Sequence, residues 1–235
     1  MTALGRRALA EFVGTAFLVA AVIGSGIAAV RLSPHDAGLQ LLENSLITGG
    51  ALLALILALQ PVSAAFNPIV TVLERALGAI STRVALVLSG AQVAGGILGA
   101  LVANLMFGLS PVTLSTQHRG GSGVWLGEVV ATLGLLLVIF GTVRTGRSER
   151  VAFAVGGYLL AAYWFTSSTS FANPAVTVAR MLSDTFAGIA PASVGPFVLA
   201  QLAGGALGYL LIRALYPDAA RLLATPATPA TQPLS

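Results

Sequence analysis

The chain has 235 residues, of which 56% are hydrophobic and only 9% charged, and its mean hydropathy is +0.91. That is far too apolar for a soluble globular domain of this size and points to an integral membrane protein. Its net charge of +4 and pI near 10.3 come from basic residues that stand singly at the ends of apolar blocks, a pattern of membrane topology and not of a nucleic-acid partner. The absence of cysteine excludes disulfides and thiol chemistry, and with two histidines and no clustering of His, Asp and Glu, neither a metal nor a cofactor is expected.

In chain order, the first apolar block, 8–30, carries Glu11 and has no cleavage-like end, so it reads as a spanning helix and not as a signal peptide. A second span is predicted at 39–60. Asn67-Pro68-Ile69 then opens a short segment, 67–79, before a third span at 84–107. Gly108 to Gly123 is rich in Ser, Thr, Gly and Pro and reads as an extracytoplasmic loop, with His118 solvated in it and Asn44 and Asn104 as interfacial or buried polar residues. Spans at 124–143 and 151–167 follow. A second box, Asn173-Pro174-Ala175, opens another short segment, 173–184, and the last span is 194–215. The proline-punctuated tail 224–235 is expected to be disordered, which leaves 1–223 as a single domain.

The two halves, about 5–107 and 124–215, repeat each other. Glu11-Phe-Val-Gly-Thr15 answers Glu128-Val-Val-Ala-Thr132, Asn67 answers Asn173, and Ala91-Gln92-Val-Ala-Gly-Gly96 answers Ala200-Gln201-Leu-Ala-Gly-Gly205. Three spans per half is an odd number, so the second half enters the membrane inverted, an arrangement that places a site at the midplane between the repeats. Both termini are predicted to be cytoplasmic. That orientation puts Arg6, Arg7, Arg75, Arg83, Arg144, Arg147, Arg150, Arg213 and Arg221 inside and only Arg31, Arg119 and Arg180 elsewhere.

Proline is tolerated at the first helical position and asparagine caps it well, so each box predicts a half-length helix starting at the asparagine. Inverted symmetry points both N-termini at the centre. Their positive dipole ends, with the Asn67 and Asn173 amides, would receive neutral solutes bearing lone pairs and repel cations. Glu11 and Glu128 are intramembrane carboxylates for which a proton relay is one reading. The other, preferred here, is that each braces a re-entrant loop by accepting backbone N–H bonds, with Gln92 and Gln201 in similar work. The hydroxyls around Ser167–Ser170 have no neighbouring base, so catalysis is not expected.

The paired Asn-Pro boxes, the Ala-Glu-Phe-x-Gly-Thr opening at Ala10–Thr15 and the Ala-Gln-x-x-Gly-Gly motifs at Ala91 and Ala200 resemble the major intrinsic protein family, the aquaporins and aquaglyceroporins. The resemblance covers about residues 5 to 215. It implies an all-α membrane fold of six transmembrane helices and two re-entrant half-helices, a homotetramer in the lipid bilayer, and one pore per monomer. Two departures stand out. Ile69 replaces the usual alanine of the first box, and Val176 stands directly after the second box, where the family usually has the filter arginine.

By family-like spacing the remaining filter positions fall near Ile47, Ala161 and Ser170. The expected filter of Ile47, Ala161, Ser170 and Val176 has little bulk and no charge, and Arg180, four residues on, is not assigned the missing role. Loss of an arginine removes a five-donor fork and widens the opening. With the Tyr163-Trp164-Phe165 lead-in, this is similar to bacterial arsenic-resistance aquaglyceroporins. The function implied is passive passage of small uncharged solutes, As(OH)3 and glycerol-like molecules with water, across a bacterial inner membrane. A mainly water-selective channel, an ion-coupled transporter built on Glu11 and Glu128, and a closed structural pore are the alternatives.

Overall fold

A computed structural model describes residues 1–144 and 150–216. The predicted tail 224–235, together with Arg147 and Arg221, lies outside the described residues.

Among the described residues eight α-helices follow one another: α1 (Ala3–Leu32), α2 (Ala37–Leu59), α3 (Pro68–Ala76), α4 (Thr82–Met106), α5 (Ser122–Arg144), α6 (Val151–Phe165), α7 (Pro174–Arg180) and α8 (Pro191–Leu215). Side chains start several of them: Thr2, Asp36 and Ser81 each accept a hydrogen bond from a first-turn N–H. Five are long and apolar enough to cross a membrane: α1, α2, α4, α5 and α8. The predicted span 151–167 is shorter in the structure. It stops at Phe165, because Thr166 turns to extended backbone while its hydroxyl caps the carbonyl of Ala162. At 15 residues α6 is roughly 22 Å long, less than the ~30 Å of a hydrocarbon core.

The packing repeats as the sequence does. Helix α1 packs on α4 and α2 in the first half, and α5 on α8 and α6 in the second. The short helices complete the exchange: α3 touches α4, α8 and α7, while α7 touches α8, α4 and α1. Small residues set the closest crossing. A Cβ at Gly95 would fall 2.1 Å from the carbonyl oxygen of Phe12, and at the equivalent Gly204 it would fall 2.6 Å from that of Val129. Both helix pairs therefore meet backbone to backbone.

The predicted half-helices 67–79 and 173–184 are shorter, ending at Ala76 and Arg180. Beyond α3, Gly78 takes a φ of +81°, which ends the helix. After α7 the chain is captured by the loop between α4 and α5, through Thr113 N–H to Leu182 O and Ser115 N–H to Met181 O. Asn104 completes this junction by donating to the carbonyls of Pro111 and Leu182 and accepting from the Ser183 hydroxyl. His118, in the same loop, is exposed.

Candidate functional site

Each asparagine of the two boxes caps its own helix and reaches across to the other. Asn67 Oδ1 accepts from Ile69 N–H at 2.9 Å, and Asn173 Oδ1 from Ala175 N–H at 3.0 Å and Val176 N–H at 3.3 Å. Asn67 Nδ2 donates to Ala172 O and Asn173 Nδ2 to Phe66 O, both at 2.7 Å. Phe66 and Ala172, the residues just before the asparagines, both have φ of 48°. Left-handed backbone at a bulky and a small L-residue costs energy and survives where the surroundings impose it.

Glu11 and Glu128 impose it. Both are fully buried. Glu11 accepts from the Ser63 hydroxyl, Ala65 N–H, Phe66 N–H and Gln92 Nε2, and Glu128 from the Ser168 hydroxyl, Phe171 N–H, Ala172 N–H and Gln201 Nε2. Gln92 and Gln201 donate onward to Thr71 and Thr177, so each carboxylate ties a loop to the half-helix that leaves it. Charge-assisted bonds of this kind are among the stronger ones and satisfy a charge that would otherwise be costly to bury.

A cavity of about 540 Å³ passes this junction. One wall is a single stripe of α2, Thr48, Leu52, Ile56 and Gln60, continued by Val151, Val155, Leu159 and Tyr163 of α6; both stripes step by four residues and so keep to one helix face. The lining also includes the loop from Ser63 to Phe66 with Asn67, and Ser170, Phe171, Asn173 and Val176. The lining thus combines apolar side chains with the asparagine amides. Pro68, Ile69, Pro174 and Ala175 lie behind the asparagines; Ile69 is 4% exposed and sits in the apolar cluster with Val70 and Leu136, against the small Gly205.

Two expected filter residues lie elsewhere. Ile47 is 47% exposed and faces outward, and its neighbour Thr48 lines the cavity. Ala161 is likewise exposed, and Tyr163, two residues on, fills the inward position with its hydroxyl 3.4 Å from Thr48 Oγ1. A helix turns 100° per residue, so an offset of one or two exchanges pore for periphery. The missed signal was in the sequence: Thr48 and Tyr163, unlike Ile47 and Ala161, continue the four-residue stripes. Ser170 and Val176 do line the cavity.

The uncharged character expected of this end is also corrected. Arg180, 2% exposed, lines the cavity one turn beyond Val176. It also lines a second cavity of about 240 Å³, with Ala37, Leu41, Asn44, Arg119, Thr169 and Phe186. Ala37, Leu41 and Asn44 extend the α2 stripe toward its N-terminus, so Arg180 stands where the two cavities meet. At the other end the large cavity is lined by Arg7 and Glu74. From Ala37 to Gln60 the stripe rises roughly 35 Å.

A helical membrane bundle with two apposed half-length helices and a lined conduit defines a channel. Residues 2–156 match the family Major intrinsic protein, and the chain belongs to it. The matched stretch includes the first box and stops before the second. Over nearly its whole length, 98% of each chain, it is 45% identical to a protein named Aquaglyceroporin AqpS from Rhizobium meliloti (strain 1021). It also resembles the X-ray structure of the aquaglyceroporin from Plasmodium falciparum, with a TM-score of 0.71, 17% identity, and coverage of 92% of this chain and 98% of that one; at this identity the likeness is one of fold. The protein is a multi-pass membrane channel for small neutral solutes and not an enzyme.

Proposed function

We propose that the protein is a passive channel of a bacterial inner membrane that carries As(OH)3 and glycerol-like solutes, with water also passing. The observation that carries this reading is Val176 on the wall of the 540 Å³ cavity, an isopropyl group where the family usually has a guanidinium. A small polyol, or its metalloid equivalent, presents apolar edges to the stripe of Leu52, Ile56, Val155 and Leu159, and hydroxyls to the Ser63–Phe66 loop, Asn67 and Asn173. The aquaglyceroporin name of the Rhizobium relative supports glycerol-like solutes, and the arsenic assignment rests on the valine pattern.

In this reading α1, α2, α4, α5, α6 and α8 span the bilayer, α3 and α7 re-enter it from opposite faces, and both termini are cytoplasmic. The domain is residues 1–223, and four copies assemble as a homotetramer with a pore in each. Ser170, Val176, Thr48 and Tyr163 form the narrow ring near the outer face. Pro68, Ile69, Pro174 and Ala175 hold the midplane asparagines in place, and Glu11, Glu128, Gln92 and Gln201 support the loops. Exclusion of cations by the half-helix dipoles is the accepted account of aquaporin-type pores and is adopted for this one.

Tyr163 favours a second reading. A phenol in place of the expected Ala161 adds bulk to the ring, as a mainly water-conducting channel would require. Purified protein in sealed liposomes separates the two: rapid As(OH)3 and glycerol entry together with water is expected. Water permeation without either solute would overturn the first reading in favour of the second.

A further inference from the structure

The smaller cavity is bordered by two guanidinium groups and no carboxylate. Arg180 donates from Nε to the carbonyl of Ala187, and its two Nη atoms bond to no described residue. Arg119 donates from Nε to Gly188 O at 2.8 Å and from Nη2 to Phe186 O at 3.1 Å, which leaves Nη1 without a protein partner among the described residues. Both cations sit on the ring of Phe171, at 3.4 Å for Arg180 and 5.2 Å for Arg119 from its centroid. The ring is held edge-on by Phe197, with 5.1 Å between centroids.

Among the described residues no carboxylate bonds to either guanidinium, whose printed acceptors are all backbone carbonyls. Asp184 accepts from the backbone and hydroxyl of Thr116, and Glu128 is saturated by its four donors. Two like charges held by short carbonyl tethers beside one ring repel each other in a medium of low dielectric. Both guanidinium groups border the smaller cavity, and Arg180 lines the larger one as well. Guanidinium groups with unused Nη–H donors and no bonded carboxylate match the geometry of a tetrahedral oxyanion.

We propose that this vestibule binds a small inorganic oxyanion of the sulfate or phosphate class between Arg180 and Arg119, and that the bound anion obstructs the conduit at Arg180. The site goes beyond the solute reading and stands whichever neutral solute crosses. Opposite charges occur together at the other end, where Arg7 and Glu74 both line the cavity, so the site belongs to the Arg180 end alone.

Isothermal calorimetry of detergent-purified protein with sodium sulfate, in phospholipid-free buffer at constant ionic strength, tests the site directly. Saturable binding is expected, weakened about tenfold in Arg119→Gln and largely retained in Arg119→Lys. Thr169→Asp gives an independent check. Thr169 borders the same cavity with φ of 60°, a conformation aspartate tolerates, and the new carboxylate would act as an internal counter-ion and abolish sulfate binding. No binding to the natural protein, or binding left intact by Thr169→Asp, overturns the site. In liposomes, sulfate is expected to slow glycerol entry saturably over the concentration range in which it binds, and binding with unchanged entry overturns the obstruction.

Discussion

The side-chain amide of Asn173 donates to the carbonyl of Phe66, 2.7 Å away and one residue before Asn67. The bond has a mirror, from Asn67 to the carbonyl before Asn173, so the asparagines lock the halves together as well as facing the cavity. Each amide nitrogen carries two hydrogens, and the cross-link uses one. The second is the donor left for a passing solute.

Asn173→Ala therefore removes three things together: a helix cap, a cross-link between the halves and a lumen donor. Loss of the cap costs about 1 kcal/mol and loss of the bond to a buried carbonyl about 1–3 kcal/mol. The expected outcome is a lower midpoint of thermal unfolding in detergent, followed by intrinsic fluorescence, with reduced solute flux in liposomes. A variant with unchanged stability would show that the asparagine serves the lumen alone.

Val176→Arg introduces a guanidinium one helical turn before Arg180 on the cavity wall. Restoring the fork fills space and sets a second fixed cation beside the first. Glycerol and As(OH)3 entry should fall at least about tenfold, a barrier increase of about 1.4 kcal/mol, while water entry falls less. Equal losses of all three would mean that the arginine plugs the conduit and does not select.

The repeat, the boxes and the bracing carboxylates were legible in the sequence because each rests on a local rule: a cap, a proline at the first helical position, or a charge that must be satisfied when buried. The residues lining the cavity at the Val176 end were legible only in part. Val176 and Ser170 are fixed by their short distance from Asn173, whereas Ile47 and Ala161 were placed by counting across long helices, where one residue of error rotates the side chain by 100°. Arg180 was placed one turn beyond Val176 without a role, and its surroundings were not legible for another reason. Its neighbours at the cavity, Arg119 from the loop between α4 and α5 and Phe186 from the loop after α7, lie in irregular segments, and no periodicity of α7 announces them.

Tyr163→Ala tests the proposed ring. Tyr163 is 3% exposed, lines the cavity and lies across from Thr48. Truncating the phenol opens the ring, so four- and five-carbon polyols should enter liposomes faster through Tyr163→Ala than through the natural protein. Tyr163→Phe keeps the bulk, and its solute range should match the natural chain. The corresponding change at the exposed Ala161, Ala161→Gly, should leave the solute range unaltered. A shift in range from Ala161→Gly with none from Tyr163→Ala would return the filter to its first placement.

Glu128→Gln separates bracing from proton transfer. The carboxylate accepts four bonds, two of them from the backbone of Phe171 and Ala172, and an amide nitrogen in place of one oxygen would set donor against donor. Leaving buried donors unpaired costs about 1–3 kcal/mol apiece. The loop holding Ala172 at φ of 48° would relax, so the yield of monodisperse protein and its unfolding midpoint should both drop. The folded fraction should show solute flux with the same dependence on pH as the natural chain, because the carboxylate has no part in moving protons. If Glu128→Gln is instead as stable as the natural protein and abolishes a solute accumulation driven by a pH gradient, Glu128 is a coupling site and the passive channel is the wrong account.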